Sequence, residues 1–243
     1  MKDNPLVSFI IRTKNEEKFI GKVLDSVFSQ IYKNIEVIIV DSGSTDDTLK
    51  VVKKYPVKLI QIKSEKFNFS YALNLGISRA KGELICVISA HSIPISKSWL
   101  RGGVKYFKDS KVAAVTGHTI ELPFGYYSKF LGNMAYKIVV NKEKNSHWPW
   151  MTNTNSIIRK DLWKKYPFDE SLKNGCEDYD WALEMLARGH KVVKEPGFSV
   201  HHSHLALGRK PWFIRKAIWM KLTPAIEKRK RPRKSFTRIK NLS

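Results

Sequence analysis

Apolar residues in the first ninety positions follow two rhythms. Val7-Ser8-Phe9-Ile10-Ile11 is a short, nearly continuous hydrophobic run, the signature of a strand buried on both faces. Phe19, Ile20, Val23, Leu24, Val27, Phe28 and Ile31 then recur at helical spacing, with Asn15 as the expected cap and Glu16 and Glu17 near the positive end of the helix. Glu36 to Val40 reads as a second strand ended by Asp41-Ser42-Gly43-Ser44, after which Thr45 or Asp46 caps a short helix reaching Lys54. Val57 to Ile62 is a third strand, Ser70 to Ala80 a helix stopped near Gly82, and Glu83 to Ile88 a strongly apolar fourth strand.

Strands alternating with helices predict β-α-β units with parallel pairing, a twisted α/β sheet flanked by helices. Ligands of such sheets bind beyond the carboxyl ends of the strands. Three polar clusters fall there: Arg12-Thr13-Lys14-Asn15-Glu16, Asp41-Ser42-Gly43-Ser44 and Ser89-Ala90-His91.

The second half is less regular. Trp99 to Lys108 predicts a helix, Val112 to Val115 a strand, and Asp161 to Lys165 and Glu177 to Arg188 helices, with Gly189 closing the latter. Val192-Val193 and Phe198 to Val200 predict short strands leading into His201-His202-Ser203-His204. Residues 118–156 are rich in aromatics and amides, and the run from His147 to Asn155, which includes Trp148, suits recognition of a sugar or acceptor as well as packing on a sheet edge.

Composition narrows the class. The 243 residues are 42% hydrophobic and 12% aromatic, which excludes a disordered or fibrous chain. Two cysteines, Cys86 and Cys176, exclude a disulfide scaffold and lack metal-site spacing; Cys86 reads as a buried thiol. No signal-peptide pattern opens the chain and no apolar run reaches the roughly 18–20 residues of a spanning helix, so the cytoplasm is the expected compartment.

Charge changes the picture at one end. The net charge is +22, and residues 208–243 contain thirteen Lys and Arg against one acid, Glu227. Trp212, Phe213, Ile214, Ile218 and Trp219 are interleaved with these cations. A basic aromatic segment suits an anionic membrane surface, where each cation contributes about 1 kcal/mol. A solvated tail is the second reading, and binding of nucleic acid through phosphates the least favoured.

The candidate chemistry lies in four places. Asp41 can accept hydrogen bonds from a nucleoside, or simply cap its own turn. Glu177, Asp178 and Asp180 sit at a helix start; Asp178 and Asp180 point about 200° apart, so only one faces a pocket. A carboxylate there can act as a general base. His91 and the histidines at 201, 202 and 204 can share a metal or be ordinary hydrogen-bonded imidazoles. Neither a Gly-rich dinucleotide fingerprint nor a P-loop is present.

The ordered set formed by Val7 to Glu17, Val40 to Asp46, Asn74-x-Gly76, Ala80-x-Gly82, Phe168-Asp169-Glu170, Glu177-Asp178-x-Asp180-Trp181 and Val200-x-His202 resembles family 2 glycosyltransferases over about residues 6–204. The resemblance implies a GT-A fold, with a nucleotide-binding half (1–92) fused to an acceptor half (93–207) in one domain (1–207), followed by the basic segment 208–243. It implies an inverting transfer from a UDP-, GDP- or dTDP-linked sugar to a hydroxyl of a lipid-linked or surface glycan, on a protein peripheral to the inner face of the cell membrane. Asp178 is then the expected base. Arg12, Thr13, Glu16, Asp41, Ser89 and His91 would line the nucleotide-sugar site, and Trp148, Asn155, Glu177 and Trp181 the acceptor site.

The family usually has Asp-x-Asp after the fourth strand, holding Mg²⁺ or Mn²⁺; here Ser89-Ala90-His91 stands in its place. Three readings follow: His91 and His202 bind a divalent ion with the diphosphate, basic side chains neutralise the diphosphate without metal, or transfer has been lost and the chain is a nucleotide- or glycan-binding module.

Overall fold

The computed structural model describes residues 3–121, 151–172, 175–202 and 222–233. A seven-stranded sheet forms its centre, in the order β3-β2-β1-β4-β8-β6-β9. The strands are β1 (Val7–Thr13), β2 (Ile35–Asp41), β3 (Lys58–Gln61), β4 (Leu84–Ser89), β6 (Val112–Thr116), β8 (Asn155–Arg159) and β9 (Lys191–Lys194). A small second sheet, ordered β5-β10-β7, joins β5 (Ser92–Pro94), β10 (Val200–His202) and β7 (Thr119–Glu121). The helices are α1 (Ile20–Phe28), α2 (Thr48–Val52), α3 (Phe69–Ser78), α4 (Trp99–Val104), α5 (Lys160–Lys165) and α6 (Glu177–Ala187).

Alternation of side chains along the strands builds two cores, one on each face. Phe9, Ile11, Val37, Ile39, Cys86, Ile88 and Ile157 face α1 and α4, and Ile10, Ile38, Ile85, Val87 and Ile158 face α3, α5 and α6. At about 1.5–3 kcal/mol for each fully buried large aliphatic side chain, strands apolar on both faces must lie inside the sheet. That is the physical content of the near-continuous hydrophobic runs.

The first four strands pair in parallel, as predicted. Strand β8, which the sequence pattern did not reveal, runs antiparallel to both β4 and β6. Its first residue, Asn155, therefore lies beside Ile88 near the carboxyl end of β4. The residues preceding β8 are thereby delivered to the mouth of the sheet.

Some local expectations are corrected. Asn15 does not cap α1; it is left-handed (φ 53°) and α1 begins at Ile20 without a side-chain cap. The helix also stops at Phe28, leaving Ile31 52% exposed. Gln30 turns the chain there, donating to the Ser96 carbonyl at 2.9 Å and accepting from the Leu100 amide at 3.0 Å. Gly189 closes α6 with φ 79°, as expected.

The basic segment is not wholly an appendage. Residues 222–227 are helical, Ile226 is buried against Tyr179 and Cys176, and Arg231 and Arg233 pair with acids of α6. Residues 203–221 and 234–243, with His204 and the interleaved tryptophans, lie outside the described residues. No helix among the described residues is long and apolar enough to cross a membrane.

Gly117 is a point of closest approach. A Cβ built there would sit 1.6 Å from the Phe198 carbonyl oxygen, whereas one at Gly102 would meet nothing within 4 Å. Backbone cannot yield as a side-chain tip can. Gly117→Ala is therefore expected to cost about 3 kcal/mol, and the helical Gly102→Ala to be neutral or stabilising by up to about 1 kcal/mol. Denaturant unfolding of the two variants checks this ordering.

Candidate active site

The loops after β1 and β2 are fastened to each other. The Ser42 amide donates to the Thr13 carbonyl at 3.0 Å, the Asn15 amide to Ser44 Oγ at 3.0 Å, and the Thr45 amide to Asn15 Oδ1 at 2.8 Å. The Glu16 amide donates to Thr48 Oγ1 at 2.7 Å, and Lys14 Nζ reaches Ser64 Oγ at 3.1 Å. The left-handed Asn15 lets its backbone and side chain address the second loop together. The result is a rigid rim along the carboxyl ends of β1 and β2.

Asp41 sits beneath this rim, fully buried. Its Oδ2 accepts from the Gly43 amide at 3.0 Å and the Ser44 amide at 3.1 Å, and its Oδ1 accepts from the Ser44 hydroxyl. Hydrogen bonds to a charged acceptor are worth about 1.5–3 kcal/mol each, so these three hold the turn firmly about the carboxylate. Gly43 at φ 84° completes the turn. Asp41, expected as a direct nucleoside contact, shapes the loop through these three bonds.

At the end of β4, His91 is buried and its Nδ1 lies 2.9 Å from Glu16 Oε1. Its Nε2 is 3.4 Å from Ser89 Oγ. His202, at the end of β10, lies opposite Ser92 of β5, and its Nδ1 is 2.9 Å from Ser92 Oγ. The two rings are 4.5 Å apart between centroids. Glu16 thus meets His91, and the pair joins the first loop to the fourth strand. Each Nδ1 is thus held by a neighbouring side chain, which fixes the orientation of both rings. Among the described residues no three His, Cys, Asp or Glu gather as a metal set, so these imidazoles form at most part of a coordination shell. His201 is buried, and its burial lowers its pKa.

The third element is the start of α6. Cys176 precedes it at φ 68°, with no side-chain cap. Asp178 turns to the segment before β8, where its Oδ2 accepts from the Asn153 amide at 2.9 Å, and its Oδ1 accepts from the Tyr179 amide at 2.8 Å. Glu177 accepts from Asn153 Nδ2 at 3.2 Å and lies 3.6 Å from the Arg12 guanidinium. Arg12 also covers the Phe69 ring, 4.8 Å from its centroid, and burial lowers its pKa against the pull of Glu177 and Asp178. The Ser89 amide donates to the Thr154 carbonyl, tying the β4 end to this group.

Asp178 has its pKa pushed up to about 7, by burial first and then by the adjacent Glu177 charge; the two amides and Arg12 oppose the rise. Asp180 points elsewhere, toward the C-terminal arginines, as helical geometry requires.

Arg12, Glu16, Ser89, His91, Glu177, Asp178 and His202 thus come to the carboxyl-end mouth of the sheet. Thr13 is buried there with its hydroxyl oxygen unpaired. Two expected acceptor residues are structural. Trp181 is 1% exposed in the core and donates to the Tyr166 carbonyl at 2.7 Å. Asn155 is fully buried and donates to the Phe198 carbonyl at 2.7 Å. Trp148 lies outside the described residues. Sequence reasoning missed Asn153, two positions from Asn155 in the same amide-rich run. It also missed Ser92, whose only sign was its place just after the fourth strand.

Residues 8–166 match the sequence profile described as glycosyl transferase family 2. The chain is 37% identical over 212 residues, 78% of its length, to a dolichyl N-acetyl-alpha-D-glucosaminyl phosphate 3-beta-D-2,3-diacetamido-2,3-dideoxy-beta-D-glucuronosyltransferase of Methanococcus voltae, and spans 64% of that protein. It is 25% identical over 82% of its length to the O-antigen chain rhamnosyltransferase RfbN of Salmonella typhimurium, and spans 66% of it. The mannosyltransferase PcManGT of Pyrobaculum calidifontis, solved with GDP-Man and Mn²⁺, superposes with a TM-score of 0.72 at 23% identity, over 94% of this chain and 66% of that one. TarS of S. aureus in complex with UDP-GlcNAc superposes with a TM-score of 0.64 at 20% identity, over 82% of this chain and 58% of that one. These structures show the GT-A fold that the sequence led us to expect.

The raised Asp178 pKa has a consequence for stability. Between about pH 4 and pH 7 the folded protein holds a proton at Asp178 that the unfolded chain has released, so stability falls as pH rises through that window. Raising the pH from about 5 to about 8 is expected to lower the thermal midpoint of the wild type more than that of Asp178→Asn, which has no such proton. Equal shifts in scanning calorimetry would place the pH dependence on another group.

Proposed function

The chain belongs to glycosyl transferase family 2, and on that premise we propose that it moves a sugar, with inversion, from a nucleoside-diphosphate donor to a hydroxyl of a lipid-linked or surface glycan. The observation that supports this best is Asp178: a carboxylate at the mouth of the sheet, oriented by two amides, with its pKa raised to about 7. A base near neutrality is half ionised where it must work and still strong enough to take a hydroxyl proton. Asp178 removes the acceptor proton as the oxygen attacks the anomeric carbon, and the diphosphate leaves from the opposite face.

Arg12, pinned by Glu177 and stacked on Phe69, orients the site and supplies positive charge beside the base. The rim built by Thr13 to Glu16 and Asp41 to Ser44 receives the nucleoside, with Asp41 holding its shape. Glu177 takes part by fixing Arg12 and Asn153 rather than by meeting the acceptor.

His91 and His202, whose rings lie 4.5 Å apart between centroids, are the residues that would hold a divalent ion. Bound there with donor oxygens, the ion would neutralise charge on the departing diphosphate. A shell with two imidazoles suits Mn²⁺ better than Mg²⁺, which prefers oxygen alone. PcManGT was solved with Mn²⁺. Relatives whose names include a dolichyl phosphate sugar and an O-antigen chain support a lipid-linked or surface glycan as acceptor. The basic segment supports approach to an anionic membrane surface, where such acceptors reside; its exposed Lys228 and Lys230 remain available for that contact.

Two experiments test the reading. Asp178→Asn is expected to lower transfer by about 10²–10⁴-fold while leaving donor affinity in calorimetry nearly unchanged. In the wild type, kcat should fall about tenfold for each pH unit below about 7, as the base becomes protonated. Full transfer by the variant removes Asp178 from the role, and donor binding without turnover in the wild type favours the binding module. For the ion, Mn²⁺ is expected to tighten donor binding more than Mg²⁺, and His202→Ala to abolish that difference. A preference that survives in His202→Ala would exclude this histidine as a ligand.

A further inference from the structure

Helix α6 has the candidate base on one face and buried acids on another. Asp180 is 1% exposed and Glu184 fully buried, and Asp169 joins them from the loop before the helix. The partners come from the far end of the described chain. Arg229 Nη1 lies 2.8 Å from Asp169 Oδ2 and 3.2 Å from Asp180 Oδ1. Arg231 Nη2 lies 2.7 Å from Asp180 Oδ1, and its Nη1 donates to the Ile226 carbonyl at 2.7 Å. Arg233 spans all three acids, 2.8 Å from Asp180, 3.2 Å from Asp169 and 3.4 Å from Glu184, while its amide donates to Glu184 Oε1 at 2.9 Å.

The run Lys228-Arg229-Lys230-Arg231-Pro232-Arg233 is thus two-sided. Positions 229, 231 and 233 are half-buried and face the acids, while 228, 230 and 232 are exposed. Arginine occupies the inward positions, where a planar fork can meet two carboxylates at once, and Lys228, Lys230 and Pro232 the outward ones. Just before the run, Glu227 accepts from the Tyr179 hydroxyl at 2.6 Å, and Ile226 packs on Tyr179 and Cys176. Apart from those to Asp169 in the preceding loop, these contacts fall on the first two turns of α6 and the residue leading into it, and that lead-in has no cap of its own.

Resting on the reading of Asp178 as the base, we infer that Arg229, Arg231 and Arg233 are positioning residues for the transfer step: they clamp the outer face of α6 and so hold Asp178 against the Asn153 amide. None of them touches the reacting groups. Their effect passes through Asp180 and Glu184 to the helix, and through the helix to the base. Displacement of a catalytic group by about 1 Å costs on the order of 10²-fold in rate, so a clamp of this kind acts on kcat.

The test uses the full chain with Arg231→Ala, Arg231→Lys and Arg229→Ala. Arg229 is the more exposed, 28% against 9% for Arg231, and its variant keeps the assay decisive should Arg231→Ala fail to fold. In folded protein the alanine variants are expected to lose about 10–100-fold in kcat with the donor Kd within about twofold, and Arg231→Lys to recover part of the loss. Amide hydrogen exchange should accelerate in residues 177–182 and stay unchanged in β1 and β4. A lower thermal midpoint with wild-type kcat in the folded variants would overturn the inference and make the ladder structural only. Unchanged exchange in α6 would overturn it as well. Retained transfer by Asp178→Asn would instead strike the base assignment, and the exchange measurement then judges the clamp by itself.

Discussion

Strand β8 runs against β4, and the arrangement of the mouth depends on that reversal. A parallel strand in its place would send the segment before it to the opposite edge of the sheet. Run backwards, β8 brings Asn153 and Thr154 beside Ser89, and the Asn153 amide meets Asp178. The first half of the chain supplies a rim through three parallel strands, and the second half supplies a carboxylate. The antiparallel pairing makes the two halves one site.

Buried charge is handled the same way throughout this site. An ionised group removed from water is tolerated only when its hydrogen bonds are replaced. Asp41 has two amides and a hydroxyl of its own turn, Glu16 has His91, and Glu177 has Arg12 and Asn153. Asn74 extends the pattern beneath the site. It donates to the Phe168 carbonyl and Glu170, and accepts from Trp163, so α3 is tied to the loop that presents Asp169. Asp169 in turn meets the C-terminal arginines. Asp178 differs: it is half-buried beside a second acid, Glu177, and burial together with that charge keeps its proton affinity high.

In the proposed transfer, the Ser-Ala-His sequence at the end of β4 changes what the mouth would offer a diphosphate. A hydroxyl, Ser89, and an imidazole, His91, stand where the family usually has a pair of carboxylates, and His202 lies beside them from β10. Such a set has less negative charge than two carboxylates, so under the proposed function more of the balance would fall to Arg12.

Much of this was legible in the chain itself, and the reason is covalent. Alternation in Phe9-Ile10-Ile11 and in Leu84 to Ile88 reports two buried faces because successive side chains of a strand must point opposite ways. The roughly 200° between Asp178 and Asp180 likewise follows from the helix repeat, and the structure separates them accordingly. The family motifs located the mouth because they fall at strand ends. What remained for the tertiary structure were meetings between distant segments. Glu16 finds His91 across 75 positions and Arg233 finds Asp180 across 53. No local pattern encodes those pairs, and the direction of β8 and the burial of Asp41, Trp181 and Asn155 depend on the same packing. The basic run shows the division plainly. Its composition indicated a charged surface, but only the fold, by placing three acids opposite every second residue, turned its arginines inward.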